Sequence, residues 1–358
     1  MNLEQLIRER LKKAFKLMAE SKLDGLLVSS WPNVTYLSGF TGMESWLFIS
    51  PKGLYFITDS RYSEQAENET NGFKVLLRDK KGLGEIVLGL ANQLKLKTIG
   101  FEAGIVTHSF YLGLAKTLGS DRLKVTSNLI EKLRLLKDNC EIDLIKKSAD
   151  IAVKGYHYVK QIVQPWMKER EVQGRLEHYT KTLGSEKPAF DIIIASGARS
   201  SMAHSKTDET VIKKNQVVLV DMGVVYNGYH SDLTRPVFLG KMPPLLKEIH
   251  GIVWEAQRAG IAKAGPGVAV KDVDAACRDL IRKAGYEKQF GHGTGHGVGL
   301  EIHESPSVSG RSATILKPGM VITVEPGIYL PGKFGIRIED MVLITEKGKE
   351  VLTDGLDK

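Results

Sequence analysis

The segments Lys213–Gly223, KKNQVVLVDMG, and Lys317–Gly327, KPGMVITVEPG, are two copies of one pattern set 104 residues apart. Lysine meets lysine, four apolar-leaning positions meet four, and Asp221 meets Glu325, each acid followed two places later by a glycine. In both copies the chain then turns, at Asn227-Gly228 and at Pro331-Gly332, and runs into a second strand with a further acid, Asp232 and Glu339. The pattern predicts two related β-hairpins that fold acids 11 and 14 residues apart back toward each other. Asp221 and Glu325 close apolar runs, where an unpaired carboxylate is costly to bury and calls for a cation. For one hairpin, turn acids and a solvated edge would be the plainer reading; two matched hairpins favour a shared site.

A second signal lies between the copies, in Gly291-His292-Gly293-Thr294-Gly295-His296-Gly297-Val298-Gly299-Leu300-Glu301-Ile302-His303-Glu304. No GxGxxG spacing threads through it and no GKS or GKT occurs, which argues against a nucleotide loop. Three histidines within twelve residues, beside glycines that permit close backbone approach, suit a metal and oxyanion site better. Four carboxylates with one imidazole form an oxygen-rich donor set that favours Mn²⁺ over a thiolate-type zinc site. They exceed what one ion needs, so the expected cofactor is a bridged pair of divalent metal ions, Mn first, with Co, Fe or Zn as alternatives.

Outward from this core, residues 3–22 carry Leu3, Leu6, Ile7, Leu11, Ala14, Phe15 and Met18 at helical spacing, ahead of a buried strand at Leu26-Leu27-Val28. Strands are predicted at Trp46–Ser50, Leu54–Ile57, Lys74–Leu77, Thr98–Phe101 and Leu123–Val125, and helices over 85–94 and 108–117. Such alternation makes an α/β domain. Leu129 to Gln164 reads as one long helix, and the domain boundary is set at 130, giving domains 1–130 and 131–358.

With 358 residues, 42% hydrophobic and 26% charged, the chain is long enough for two cores, and disordered or disulfide-stapled classes are excluded. The net charge of +8 is spread over short doublets such as Lys12-Lys13 and Lys213-Lys214, with no zinc-finger, RRM or KH pattern, so no nucleic-acid partner is expected. Only two cysteines occur, Cys140 and Cys277, and no apolar leader or membrane-length run is present. A cytoplasmic protein with no membrane partner is the expectation.

Together these motifs resemble the pita-bread metallopeptidases, which include aminopeptidase P, prolidase, methionine aminopeptidase and the metal-free creatinase. The resemblance covers essentially the whole chain. It is carried by Ser196-Gly197 with His204-Ser205, Val220-Asp221-Met222-Gly223, Ser231-Asp232-Leu233-Thr234-Arg235, the histidine loop, Val324-Glu325-Pro326-Gly327 and Gly335-Ile336-Arg337-Ile338-Glu339-Asp340. The implied fold is an α/β creatinase-like N-terminal domain followed by an α+β pita-bread catalytic domain with an internal pseudo-two-fold repeat.

The resemblance further implies that Asp221 binds one metal, His296 the other, and that Asp232, Glu325 and Glu339 bridge or share them. Glu325 would also be general base and proton shuttle, and His303 would bond the carbonyl oxygen as it becomes an oxyanion. His292 and His204 would line the leaving-group side, and Arg337 would organise Glu339 and the substrate end, with Thr234 and Thr323 supporting the ligands. Phe190 and Ile302 are candidate walls of a proline pocket, with ordinary core packing as the alternative.

The extra N-terminal domain, the Arg-Ile-Glu-Asp setting of Glu339, and the segments Tyr36–Gly42 and Thr58–Tyr62 resemble the Xaa-Pro branch. Asp59 and Arg61 within it read as a structural ion pair. The expected activity is hydrolysis between an N-terminal residue and a following proline, by aminopeptidase P or by prolidase, in a homodimer acting on proline-containing peptides. The competing reading, an idle peptide-binding module of the same fold, sits poorly with an intact ligand set.

Overall fold

Ile7, Leu11, Ala14 and Met18 lie on one face of α1 (Leu3–Glu20) and are buried, as their spacing predicts. The computed structural model describes residues 3–78 and 81–356. By their internal contacts they form two units, Met1–Arg134 and Leu135–Lys358. No helix among the described residues is long and apolar enough to cross a membrane.

In the first unit the chain continues through β1 (Gly25–Val28), α2 (Trp31–Ser38), β2 (Trp46–Ser50), β3 (Gly53–Thr58), α3 (Ser63–Glu69), β4 (Lys74–Leu77), α4 (Leu83–Gln93), β5 (Ile99–Glu102), α5 (His108–Leu118), β6 (Leu123–Thr126) and α6 (Glu131–Arg134). Six strands make one mixed sheet in the order β4-β3-β2-β1-β5-β6, parallel at β1/β5, β5/β6 and β3/β4. Helices α2 and α3 have no counterpart in the sequence reading. Each is at most eight residues long, too short to show a period, and α2 stops at Gly39 in the left-handed region (φ 79°). Arg61 pairs with Asp59 at 2.8 Å on the surface, and also with Glu44.

The second unit corrects the long helix read over 129–164. The chain breaks at 135–138, and Asp138 caps a new helix α7 (Asn139–Ile162) by accepting from the Glu141 amide at 3.0 Å, while Glu141 returns a bond to the Asp138 amide. This capping box starts a helix where the charge pattern runs on unbroken. After it come α8 (Glu169–Thr182), β7 (Lys187–Pro188), β8 (Ile193–Ser196), β9 (Gln216–Met222), β10 (Val224–Tyr226), β11 (Tyr229–His230), β12 (Leu233–Leu239), α9 (Pro244–Lys263) and α10 (Val270–Lys283). The chain ends through β13 (Gly295–Gly297), β14 (Glu304–Val308), β15 (Val321–Val324), β16 (Gly327–Leu330), β17 (Phe334–Arg337), β18 (Asp340–Thr345) and β19 (Gly348–Val351).

Both expected hairpins are present. β9 pairs antiparallel with β12, setting Asp221 opposite Thr234 and Met222 opposite Leu233; β10 and β11 turn over Asn227 and Gly228, both at positive φ. β15 pairs with β18, setting Val324 opposite Asp340, while β16 and β17 extend the hairpin to the turn at Gly332. Each half has its own helix pair. Ile151, Tyr156 and Val159 of α7 and Val172 and Leu176 of α8 pack on Val218, Val220 and Met222. Leu246, Ile249 and Val253 of α9 and Val273, Cys277 and Ile281 of α10 pack on Ile322, Val324 and Val342. Burial of these aliphatic faces is the main source of each half's stability.

The glycine two places after Asp221 serves close backbone approach. A Cβ at Gly223 would overlap the Ser231 carbonyl oxygen on the returning strand, which cannot swing aside as a side chain can. Gly223→Ala should therefore destabilise the protein by at least about 2 kcal/mol in urea unfolding, the usual range for forced overpacking; an unchanged midpoint would show that the strands separate freely there.

Candidate metal centre

Each hairpin delivers its two acids to the same end of its strands, and the two ends meet. Asp232, His296 and Glu339 present ligand atoms that all lie within 4.8 Å of one another. His296 Nε2 stands 3.4 Å from carboxylate oxygens of both Asp232 and Glu325. These groups form the floor of a cavity of about 690 Å³, whose walls include Phe190, Ile192, Ile193, His204, His292, His303 and Arg337, with Arg170 and Gln173 at the start of α8. Ile302 is not among the lining residues.

Asp221 lines the cavity but is engaged by Arg337 Nη2 instead of joining the three-residue cluster. Arg337 also donates to the Tyr329 hydroxyl at 2.7 Å, to Thr234 Oγ1 at 3.1 Å and to the Ala203 carbonyl at 3.3 Å. It reaches Glu339 through Thr234, whose hydroxyl donates to Glu339 Oε2 at 2.6 Å. Thr323 supports the other side, its hydroxyl accepting from the His296 amide at 3.0 Å and lying 3.2 Å from Glu325 Oε1.

His292 holds Tyr329 through Nε2 at 3.0 Å and the Gly293 carbonyl through Nδ1 at 2.7 Å. His303 sets its ring edge-on to His296, 4.4 Å between centroids, and His204 is exposed on the cavity wall.

Behind the floor, Arg235 and Asp340 form a fully buried ion pair at 2.5 Å, and Arg235 also donates to the backbone carbonyls of Thr234 and Glu339. Gln257 and Thr353 complete the Asp340 carboxylate. Tyr329, Arg235 and Asp340 escaped the sequence reading as site residues. Tyr329 carries one local signal: Gly327 opens its strand, Gly335 sits opposite it on β17, and a Cβ on either would strike its ring or hydroxyl.

Burial pushes Glu325 up to about 7, with Asp232 and Asp221 adding to the rise and His296 and Arg337 opposing it. Burial also raises Asp232, and it raises Glu339 well above the carboxylate range, helped there by the neighbouring acids. For His296, burial pulls downward, but the hydrogen bond and charge of Asp232 and the charge of Glu325 outweigh it and lift the imidazole to about 9. Burial holds His292 at about 4 and lowers His303, with His296 and His204 pushing the latter the same way.

Comparison with known proteins places this geometry. The model of metallopeptidase family M24 matches residues 143–346, and that of the creatinase/prolidase N-terminal domain matches residues 10–136. This chain belongs to metallopeptidase family M24. It is 36% identical to a Xaa-Pro dipeptidase of Pyrococcus horikoshii over 97% of both chains. Among solved structures it resembles a Xaa-Pro dipeptidase from Bacillus anthracis (TM-score 0.95, 38% identity, 98% of this chain and 99% of that one). It also resembles an X-Pro aminopeptidase from Thermotoga maritima (TM-score 0.89, 37% identity, 96% and 99%). The fold is that of a creatinase-type N-terminal domain joined to a pita-bread catalytic domain.

An M24 metallopeptidase is a hydrolase that employs divalent metal ions, and the donors present fit such ions. Glu339 Oε1 is buried with no hydrogen-bond partner among the described residues, an acceptor that a cation would satisfy. Two buried acids, Asp232 and Glu339, and the half-buried Glu325 form a hard, oxygen-rich set beside one imidazole.

If Glu325, near 7, and His296, near 9, are ligands, metal must displace protons from both. Both groups hold their protons more tightly than a free side chain does, so competition is strongest at low pH. Calorimetric Mn²⁺ affinity of the metal-free protein should therefore rise steadily from pH 5 to pH 8. An affinity flat across that range would mean that these two groups are not ligands.

Proposed function

We propose that this M24 member is a Xaa-Pro exopeptidase that uses a pair of divalent metal ions, Mn²⁺ first among them, to split the bond between an N-terminal residue and a following proline. The buried cluster of Asp232, His296 and Glu339, with Glu325 alongside, at the floor of a cavity with a Phe190–Ile192–Ile193 wall, carries this reading. The printed names of the Pyrococcus, Bacillus and Thermotoga relatives support the proline part. Asp221, Asp232, His296, Glu325 and Glu339 would hold the ions. Bound there, the ions would acidify a water and polarise the scissile carbonyl.

The remaining work falls to the chain's own groups. Glu325, beside the ions, would take a proton from the attacking water and pass it to the departing nitrogen. That second transfer matters for proline, because an imide nitrogen carries no hydrogen and leaves only when protonated. His303, kept neutral by burial and by the neighbouring imidazoles, presents an N–H to the carbonyl oxygen as charge develops on it. His292 and His204 flank the leaving group, with His292 held by Tyr329. Arg337 keeps Asp221 and, through Thr234, Glu339 in place.

The cavity runs on to Arg170 and Gln173, which supports peptides longer than two residues and hence aminopeptidase P over prolidase. The dipeptidase names of two relatives favour the second reading, a dipeptide-only prolidase. The family resemblance supports a homodimer; the sequence pattern supports domains 1–130 and 131–358, and two isolated cysteines support a reducing, cytoplasmic setting.

Purified protein with Mn²⁺ should release the first residue from an Arg-Pro-Pro-type tripeptide faster than it splits the corresponding Xaa-Pro dipeptide. The reverse order would establish prolidase, and no release from either would leave only a binding module. Glu325→Gln should lower kcat about 10³-fold, in the range of a lost general base. His303→Ala should lower kcat about 10²-fold, as a lost oxyanion donor does, with metal content retained; metal lost from that variant would move His303 among the ligands.

A further inference from the structure

His303 makes no hydrogen bond among the described residues, and its ring is exposed to the cavity, so something else must hold it in place. The next residue supplies the hold. Glu304 is almost wholly buried, accepts from the Glu301 amide at 3.1 Å, and so closes the loop 299–304 on itself. Its other oxygen meets Lys137 Nζ at 3.2 Å, in an ion pair whose side chains are 1% (Lys137) and 6% (Glu304) exposed. A Cβ on Gly299 would press on the same carboxylate, so the loop is fitted around it.

Lys137 is itself fixed in place. Its amide donates to the Gly319 carbonyl at 2.8 Å, on the turn that leads into β15 and Glu325. Asp138, immediately after it, is the N-cap of α7. One lysine thus ties the start of a 24-residue helix, the approach to one acid-bearing strand and the loop of His303.

We propose that Lys137 is a positioning residue for catalysis, holding Glu304 and thereby setting His303 over the carboxylate cluster. This rests on the peptidase reading above. Lys137 touches neither the cavity nor the acids, so its loss acts through the loop.

In the Mn²⁺-loaded protein, Lys137→Met should lower kcat about 10–10²-fold, the cost of a catalytic group displaced by about an ångström, with KM within about twofold and metal content unchanged. That single variant removes the cation facing the buried Glu304 carboxylate and is expected to be less stable. The double variant Lys137→Met/Glu304→Leu removes both charges and should recover the melting temperature while kcat stays low. Recovery of kcat together with the melting temperature would reduce the pair to fold stabilisation and overturn the proposal, as would a kcat loss that only tracks lost metal.

A readout independent of turnover comes from histidine side-chain NMR of the metal-free protein. The His303 ring resonances should shift in the double variant while those of His250 on α9 stay in place; an unmoved His303 overturns the proposal. Wild-type protein inactive on every Xaa-Pro peptide would refute the peptidase reading and leave the resonance result standing on its own.

Discussion

Asp232, Glu325 and Glu339 crowd their carboxylates into one buried spot, and the catalytic unit is built around the repulsion this creates. If both were charged, Asp232 and Glu339, with ligand atoms within 4.8 Å of each other, would repel by about 3–4 kcal/mol at an effective dielectric of about 20. The protein's own cations answer only part of it: His296 shares its Nε2 between two of the acids, and Arg337 is committed to Asp221. Glu339 Oε1 has no hydrogen-bond partner among the described residues. A divalent ion held here would resolve the crowding, and the same low-dielectric setting would strengthen its pull on a water and a carbonyl.

The repeat explains how the acids arrive together without a loop carrying them there. Each hairpin places one acid at the end of its outgoing strand and one at the start of its return, and each is backed by its own helix pair. The halves lie in separate sheets and are tied behind the floor by Thr234 to Glu339 and by the buried Arg235–Asp340 pair. Removing one member of such a pair costs far more than removing both, so it acts more as a registration device than as a source of stability. Small shifts at Arg235 would be felt directly by Glu339, whose backbone carbonyl it holds.

Much of this was legible in the sequence because the informative features are local. Alternating apolar residues, a turn at Asn227-Gly228 and an acid at each strand end can be read within a dozen residues, and an offset of 104 shows the copy. The histidine loop stood out for the same reason. What escaped the reading depends on distant partners. Arg337 meets Asp221 across 116 residues, Lys137 meets Glu304 across 167, and nothing near either residue announces the contact. Tyr329 looks like one more strand residue until Arg337 and His292 are placed beside it. The break before α7 was hidden because a capping box restarts a helix without interrupting its charge pattern.

The two hairpins are proposed together to hold a pair of ions that peptide hydrolysis requires. Titrating metal-free protein with Mn²⁺ while following both bound metal and release of the first residue from an Arg-Pro-Pro-type peptide tests it directly. Activity should saturate at two equivalents per chain and vanish on chelation. Full activity at one equivalent, or activity that survives complete chelation, would contradict the account.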